Sequence, residues 1–176
     1  MTAQETGQVE ARALAVDKLE QAEFTLLLDW WEKCRAGRVG PSRAEVDPAA
    51  LKPVLAHLTL VEFDPKTGSF RFRLSGTYVH QLHNREIAYT GVDEMEPPAY
   101  RNLLNEHYRK VIETGAPNAY EIRFISHDNI ERHYTSLRLP LSEDGKHAAG
   151  IITLDIFASG WNESETAGSG LYPRVD

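Results

Sequence analysis

The stretch SFRFRLSGTYVHQLHNREIAYTGVDEM, from Ser69 to Met95, constrains the fold of this chain more than any other. It opens as an alternating strand, with Phe70, Phe72 and Leu74 on one face and Arg71 and Arg73 on the other. After Gly76 the apolar spacing changes from two to about 3.6 residues, the period of a helix, and the run ends in a Thr90-Gly91 turn. A strand that breaks at glycine into a short helix predicts the wall and cover of a small pocket.

The rest of the chain is read around that stretch. With 176 residues there is room for one domain of about 100 to 150 residues plus terminal extensions. We expect a flexible leader over residues 1–16, a single domain over 17–158 and a flexible tail over 159–176, with no effector domain behind it. From Asp17, apolar residues at Leu19, Ala22, Leu26, Leu27, Trp30, Trp31 and Cys34 predict a helix that ends at Arg35-Ala36-Gly37. Phe24 and Leu28 widen its greasy face. Such a face predicts either contact with a second chain through Leu27, Leu28, Trp30 and Trp31, hence a homodimer, or a cap on the chain's own sheet.

Asp47-Pro48 opens a short helix expected over Ala49 to Leu55, and His57 to Phe63 and Ser69 to Leu74 form a hairpin around Asp64-Pro65-Lys66-Thr67-Gly68. Pro97-Pro98 precedes a long helix with Tyr100, Leu103, Leu104, His107, Val111 and Ile112 on one side, stopped by Gly115 and Pro117. Three strands follow, Tyr120 to Ser126, Glu131 to Leu141 and Ala149 to Phe157, with a turn at His127-Asp128-Asn129 between the first two. The order predicts an α+β fold: an antiparallel sheet of about five strands, central short helices, a connecting helix and an N-terminal helical cap.

These residues, taken jointly, resemble the PAS-domain family. The resemblance runs from about Trp30 to Ala158. It rests on GRVGPSRAEVDPAALKPVLAHLTLVEF ahead of the hairpin, Gly76 after its second strand, Thr90-Gly91 before the proline-rich loop, and a last strand Gly150-Ile151-Ile152-Thr153-Leu154-Asp155-Ile156-Phe157. That strand resembles the family's closing Asp-Ile-Thr, with phenylalanine in place of threonine. The chain looks like the bacterial subgroup in which one PAS domain makes up nearly the whole protein. The resemblance implies a sensory or regulatory module that works through a small-molecule ligand or a signalling protein partner. The rival is a cone-shaped α+β enzyme or carrier resembling nuclear-transport-factor-like isomerases, for which Asp155 or His107 would be the buried acid or base. A central helical segment inserted after the second strand separates PAS from that rival.

The expected ligand site gathers Leu74, Tyr78, Leu82, Tyr100, Leu104, Tyr120 and Ile122, with His107 at its rim, and suits a small apolar or aromatic molecule. Arg71, Arg73, Arg123 and Arg138 are read as outward and solubilising; the alternative is a polar anion anchor made by Arg123 with His133 and Tyr78. His80, His83 and Glu86 share a helix face at a spacing that reaches a metal, but the sequence fixes no further ligand beside them, and no metal is expected. Haem is not expected, since the family's histidine would fall nearer Leu103 or Leu104 than His107. PAS-type flavin photochemistry is not expected either, because Cys34 stands in the first helix rather than before the connecting helix. No Ser/His/Asp order, phosphate loop or HExxH motif is present, and no catalytic residue is assigned. A net charge of -7 with dispersed basic residues argues against nucleic acid. One cysteine and no span of about 20 apolar residues point to a cytoplasmic protein without a membrane segment.

Overall fold

The computed structural model describes residues 8–83, 85–125 and 131–157. The elements run β1 (Val9–Leu14), α1 (Ala22–Arg35), β2 (Leu58–Asp64), β3 (Ser69–Ser75), α2 (Thr77–His83), α3 (Pro98–Thr114), β4 (Asn118–Ile125), β5 (Glu131–Leu141) and β6 (Gly150–Phe157). They build one antiparallel sheet in the order β1-β4-β5-β6-β2-β3. The helical segment lies between β3 and β4, the arrangement that distinguishes a PAS fold from the cone-shaped rival.

Both faces of the sheet are covered, and the strands read accordingly. Leu137, Leu139 and Leu141 of β5 and Ile152, Leu154 and Ile156 of β6 face α1, where Phe24, Leu27 and Trp31 cover them. The intervening residues of the same strands, Ser136 and Arg138 of β5 and Thr153 and Asp155 of β6, therefore face α3. Central strands sealed on two sides lose the clean alternation of a half-wet sheet.

Five expectations from sequence are revised. Val9–Leu14, read as part of a flexible leader, is an edge strand paired with β4 along its whole length, and Arg12 bonds Glu121 across the pair at 3.2 Å. It brings the strand count to six. The first helix begins at Ala22 rather than Asp17, since Val16–Lys18 make only a single tight turn. Ala49 to Leu55 is a series of turns, not a helix: Asp47 caps the start by accepting from the Ala49 N–H at 2.9 Å, but Pro53 can donate no backbone bond to continue it. Leu74 does not share the face of Phe70 and Phe72. A bulge between Leu60 and Val61 pairs Leu60 with Leu74 and Val61 with Phe72, so the phase slips at Arg73 and Leu74 turns outward, 39% exposed. The Arg138 side chain, expected in solvent, is 1% exposed on the α3 side.

The greasy face of α1 caps the chain's own sheet. Leu27 and Trp31 are buried there, and the Trp31 indole donates to the Pro140 carbonyl at 2.8 Å, so neither is available to a second chain. Leu28 and Trp30 are half-buried beside them. The helix stops where Ala36 and Gly37 enter the left-handed region, at φ 48° and 80°. Among the described residues no helix is long and apolar enough to cross a membrane.

Candidate functional site

The inner face of the sheet and α3 enclose a polar centre within an apolar wall. The three- and four-residue spacing on α3 turns Tyr100, Leu104, His107, Tyr108 and Val111 inward. Opposite them, β5 presents Tyr134, Ser136 and Arg138, β6 presents Asp155, and β2 presents Thr59. Phe72, Val79 and Ile87 complete the wall from the hairpin and α2 side. The space they leave is about 10 Å³, room for about one water molecule.

Arg138 is the centre of this arrangement. Its guanidinium donates to His107 Nδ1 at 3.0 Å and lies over the rings of Tyr108 and Tyr120, 5.4 and 5.3 Å from their centroids. A guanidinium has no lone pair to offer, so Nδ1 must be the accepting nitrogen and the His107 proton sits on Nε2. The imidazole stacks on Tyr120 with centroids 3.5 Å apart and planes at 10°. Burial, then the charge of Arg138 and of Lys110, depress the His107 pKa to about 3, so the ring is neutral.

The carboxyl of Asp155 is held by the Ser136 hydroxyl in the neighbouring strand. Burial raises its pKa, with Ser136 and the Arg138 charge acting in the other direction. Tyr100 and Tyr134 share a hydroxyl hydrogen bond at 3.2 Å, and burial pushes both phenols upward, as it does Tyr108. The site thus holds the permanent charge of Arg138 beside phenols and a carboxyl whose burial favours their protonated forms.

The sequence-predicted residues divide. Tyr100 and Leu104 line the cavity; His107 and Tyr120 stand directly behind Arg138. His107, expected at a rim, is 5% exposed. Ile122 is buried in the adjacent cluster with Tyr120 and Tyr134. Leu74 lies outside, and Tyr78 stacks on His57 at 4.2 Å, beyond the β6 backbone that His57 bonds at the Asp155 carbonyl. The Leu82 side chain falls outside the described residues. Arg123 is turned to solvent and paired with Glu121 at 2.9 Å, while Tyr78 stands at His57, so the expected anchor of Arg123 with His133 and Tyr78 is not gathered at the cavity.

Missed from sequence were Arg138 itself, Tyr108, Tyr134, Ser136 and Thr59; Asp155 was considered only as a catalytic acid of the rival fold. His83 points into the cavity wall against the Tyr100 ring, and burial lowers its pKa to about 3, whereas His80 is exposed near Glu86. Among the described residues no three metal-ligating side chains cluster. A larger free volume, about 730 Å³, lies on the outside between Arg43, Leu60, Glu62, Arg73, Glu143 and Gly150 and is open to solvent.

A model of the PAS domain matches residues 20–153, most of the chain. The chain belongs to the PAS-domain family. No curated protein matches it. Among solved structures it is similar to VqmA bound to DPO, at 18% identity and a TM-score of 0.46, covering 57% of this chain and 52% of that one. The chain thus spans about half the length of the VqmA structure. It is also similar to the PAS domain of a protein from Colwellia psychrerythraea, at 13% identity and a TM-score of 0.43, over 65% of this chain and 100% of that one. A sensory box histidine kinase/response regulator from Burkholderia thailandensis matches at 16% identity and a TM-score of 0.39, over 69% of this chain and 92% of that one.

Proposed function

We propose that this protein is a PAS-type sensory or regulatory module that signals through occupancy of the Arg138 cavity and through a protein partner, without catalysis of its own. The observation that carries the reading is a buried guanidinium, 1% exposed, on the wall of a cavity whose apolar and aromatic lining also carries Thr59, His83, Ser136 and Asp155. Burying such a charge is costly unless it is used, and fixed polar groups in an apolar cavity are what orient a ligand. The reading gives His107 and Asp155 no catalytic role: His107 accepts from Arg138 at Nδ1, and Asp155 lies beside the Ser136 hydroxyl.

We assign the module no resident haem and no flavin photochemistry: His107 accepts from Arg138 at Nδ1 and carries its proton on Nε2, so neither ring nitrogen offers a free lone pair, and Cys34 lies on α1, across the sheet from the cavity. A homodimer is proposed through the half-buried Leu28 and Trp30 rather than through Leu27 and Trp31. Nucleic acid is not the proposed partner, given the net charge of -7, and the cytoplasm is the expected compartment. The stand-alone arrangement follows the family resemblance.

The test is thermal melting of the purified protein across a broad panel of small molecules, with a native mass spectrum of the same sample. A ligand that raises the midpoint in proportion to log concentration supports the reading. A flat panel with a monomeric native mass and no captured partner rejects it.

A further inference from the structure

Three polar atoms without a hydrogen-bond partner in the protein stand in one register row on the inner face of the sheet. They are Arg138 Nε on β5, Thr153 Oγ1 on β6 and Thr59 Oγ1 on β2. Arg138 pairs with Thr153 and Thr153 pairs with Thr59, so the row crosses three adjacent strands. All three residues are at least 98% buried. Buried polar atoms are almost always bonded, and three orphans in one row mark a place where the fold holds donors in reserve.

The row points at one kind of chemistry. Arg138 gives a fixed N–H, Thr59 gives a hydroxyl on the same cavity wall, and Arg138 forms no ion pair with a described carboxylate: it donates to the neutral His107 and lies over the rings of Tyr108 and Tyr120, with the Tyr108 hydroxyl within its reach. Asp155 lines the cavity too, but it is turned to Ser136. Beside these donors the apolar part of the wall includes Phe72, Val79, Ile87 and Leu104. Donors of positive charge next to an aliphatic surface match a carboxylate with a short hydrocarbon tail. A phosphate or a dicarboxylate would bring a second charge with nothing to meet it.

We propose that the cavity recognises a short-chain monocarboxylate, with its oxygens on Arg138 Nε and the Thr59 hydroxyl and its tail against Phe72, Val79, Ile87 and Leu104. This rests on reading the cavity as the sensing site. The present space of about 10 Å³ takes no more than one water, so entry requires the wall to yield. The sheet side is held by its ladder of backbone bonds; the room is made on the side of Val79 and Ile87. Asp155 feels the Arg138 charge from across the cavity without an ion pair, and a ligand carboxylate on Nε supplies the direct counter-ion that Arg138 lacks among the described residues.

The experiment is titration of the full chain with acetate, propionate and butyrate and with the matching amides, read by thermal shift and calorimetry, in the wild type, Arg138→Lys and Asp155→Asn. Expected is a thermal shift from the acids and none from the amides. Arg138→Lys should weaken the acids by about ten- to a hundredfold, the worth of a lost hydrogen bond to a charged group. Asp155→Asn, which removes the carboxylate across the cavity, should tighten them several-fold. If either variant fails to fold, the wild-type Arg138 Nε–H resonance decides alone: the acids must shift it and the amides must not. Equal binding of acids and amides overturns the carboxylate assignment and leaves the cavity a small-molecule site. Binding of neither, with the Nε–H signal unmoved, means the row holds water only; it overturns the assignment and leaves partner binding as the module's route.

Discussion

Arg138 on β5 and His107 on α3 are joined by a hydrogen bond of 3.0 Å that ties the middle of the sheet to the connecting helix through the least exposed charge described in the molecule. An interaction of this kind is costly to break from one side. The partner left behind is buried, so it loses its protein bond without gaining water.

His107→Ala should therefore cost about 3 kcal/mol or more of unfolding free energy, from an unsatisfied guanidinium plus the lost stack on Tyr120. His107→Gln, whose side-chain carbonyl can accept from Arg138, should recover a good part of that. Urea unfolding of the two variants checks the difference; equal losses would show that the stack, not the acceptor, matters.

Acid should weaken the fold through the buried histidines. His83 and His107 have folded-state pKa values near 3, against about 6.5 in the unfolded chain. Between those limits the unfolded state binds protons that the folded state refuses, so stability falls as pH drops from about 6.5 towards about 3. The slope is at most about 1.4 kcal/mol per pH unit for each histidine. Asp155 acts in the opposite sense, because its raised pKa makes the folded state take up its proton first as pH falls. Comparing the pH dependence of melting in wild type and His107→Gln should show a shallower slope in the variant; an unchanged slope would refute the assignment.

Gly76 is required by close approach. A Cβ there would meet the backbone carbonyls of Ala56 and Leu55, and the Gly76 N–H already bonds the Leu58 carbonyl at 2.8 Å. Backbone atoms cannot swing aside as a side chain can, so Gly76→Ala should destabilise by about 2 kcal/mol or more, within the range of overpacking effects. Gly37→Ala is the control for space, since nothing lies within 4 Å of a Cβ there. Its φ of 80° should still cost about 1 kcal/mol.

The α1 cap is part of the core. Trp31→Phe should cost about 1–2 kcal/mol by leaving the Pro140 carbonyl without its donor. Removing residues 1 to 36 should unfold the protein, because Phe24, Leu27 and Trp31 cover the leucines and isoleucines of β5 and β6. A folded, cooperative truncation would contradict this. Leu104→Ala should cost about 2–5 kcal/mol and enlarge the cavity beside Arg138.

Much of the fold was legible in the order of its periodicities. The hairpin, the long helix with its Gly115 stop and the closing meander follow from alternation and turn residues, and all lie within about one to two residues of where they were expected. The centre of the site was not legible, for a physical reason. LRLPL reads as leucines in and arginine out when one face of a strand is assumed wet. Here the leucines satisfy α1, and the opposite face lies under α3, so Arg138 had nowhere exposed to go. The greasy face of α1 was the available signal: a helix capping its own sheet needs an apolar strand face beneath it, which commits Leu137, Leu139 and Leu141 to that side. The bulge that turned Leu74 outward had no such signal, and β1 was hidden because four of its six residues are exposed on an edge.

The central claim is that ligand recognition runs through the Arg138 cavity. Its most direct test is side-chain and backbone NMR of the protein with and without the strongest hit of a ligand panel. The account predicts that the largest shifts fall on Arg138, His107, Leu104, Tyr134 and Thr59, and that Leu28 and Trp30 of α1 respond less. Shifts concentrated on the outer groove around Leu60, Arg73 and Glu143, with Arg138 and His107 unmoved, would contradict it.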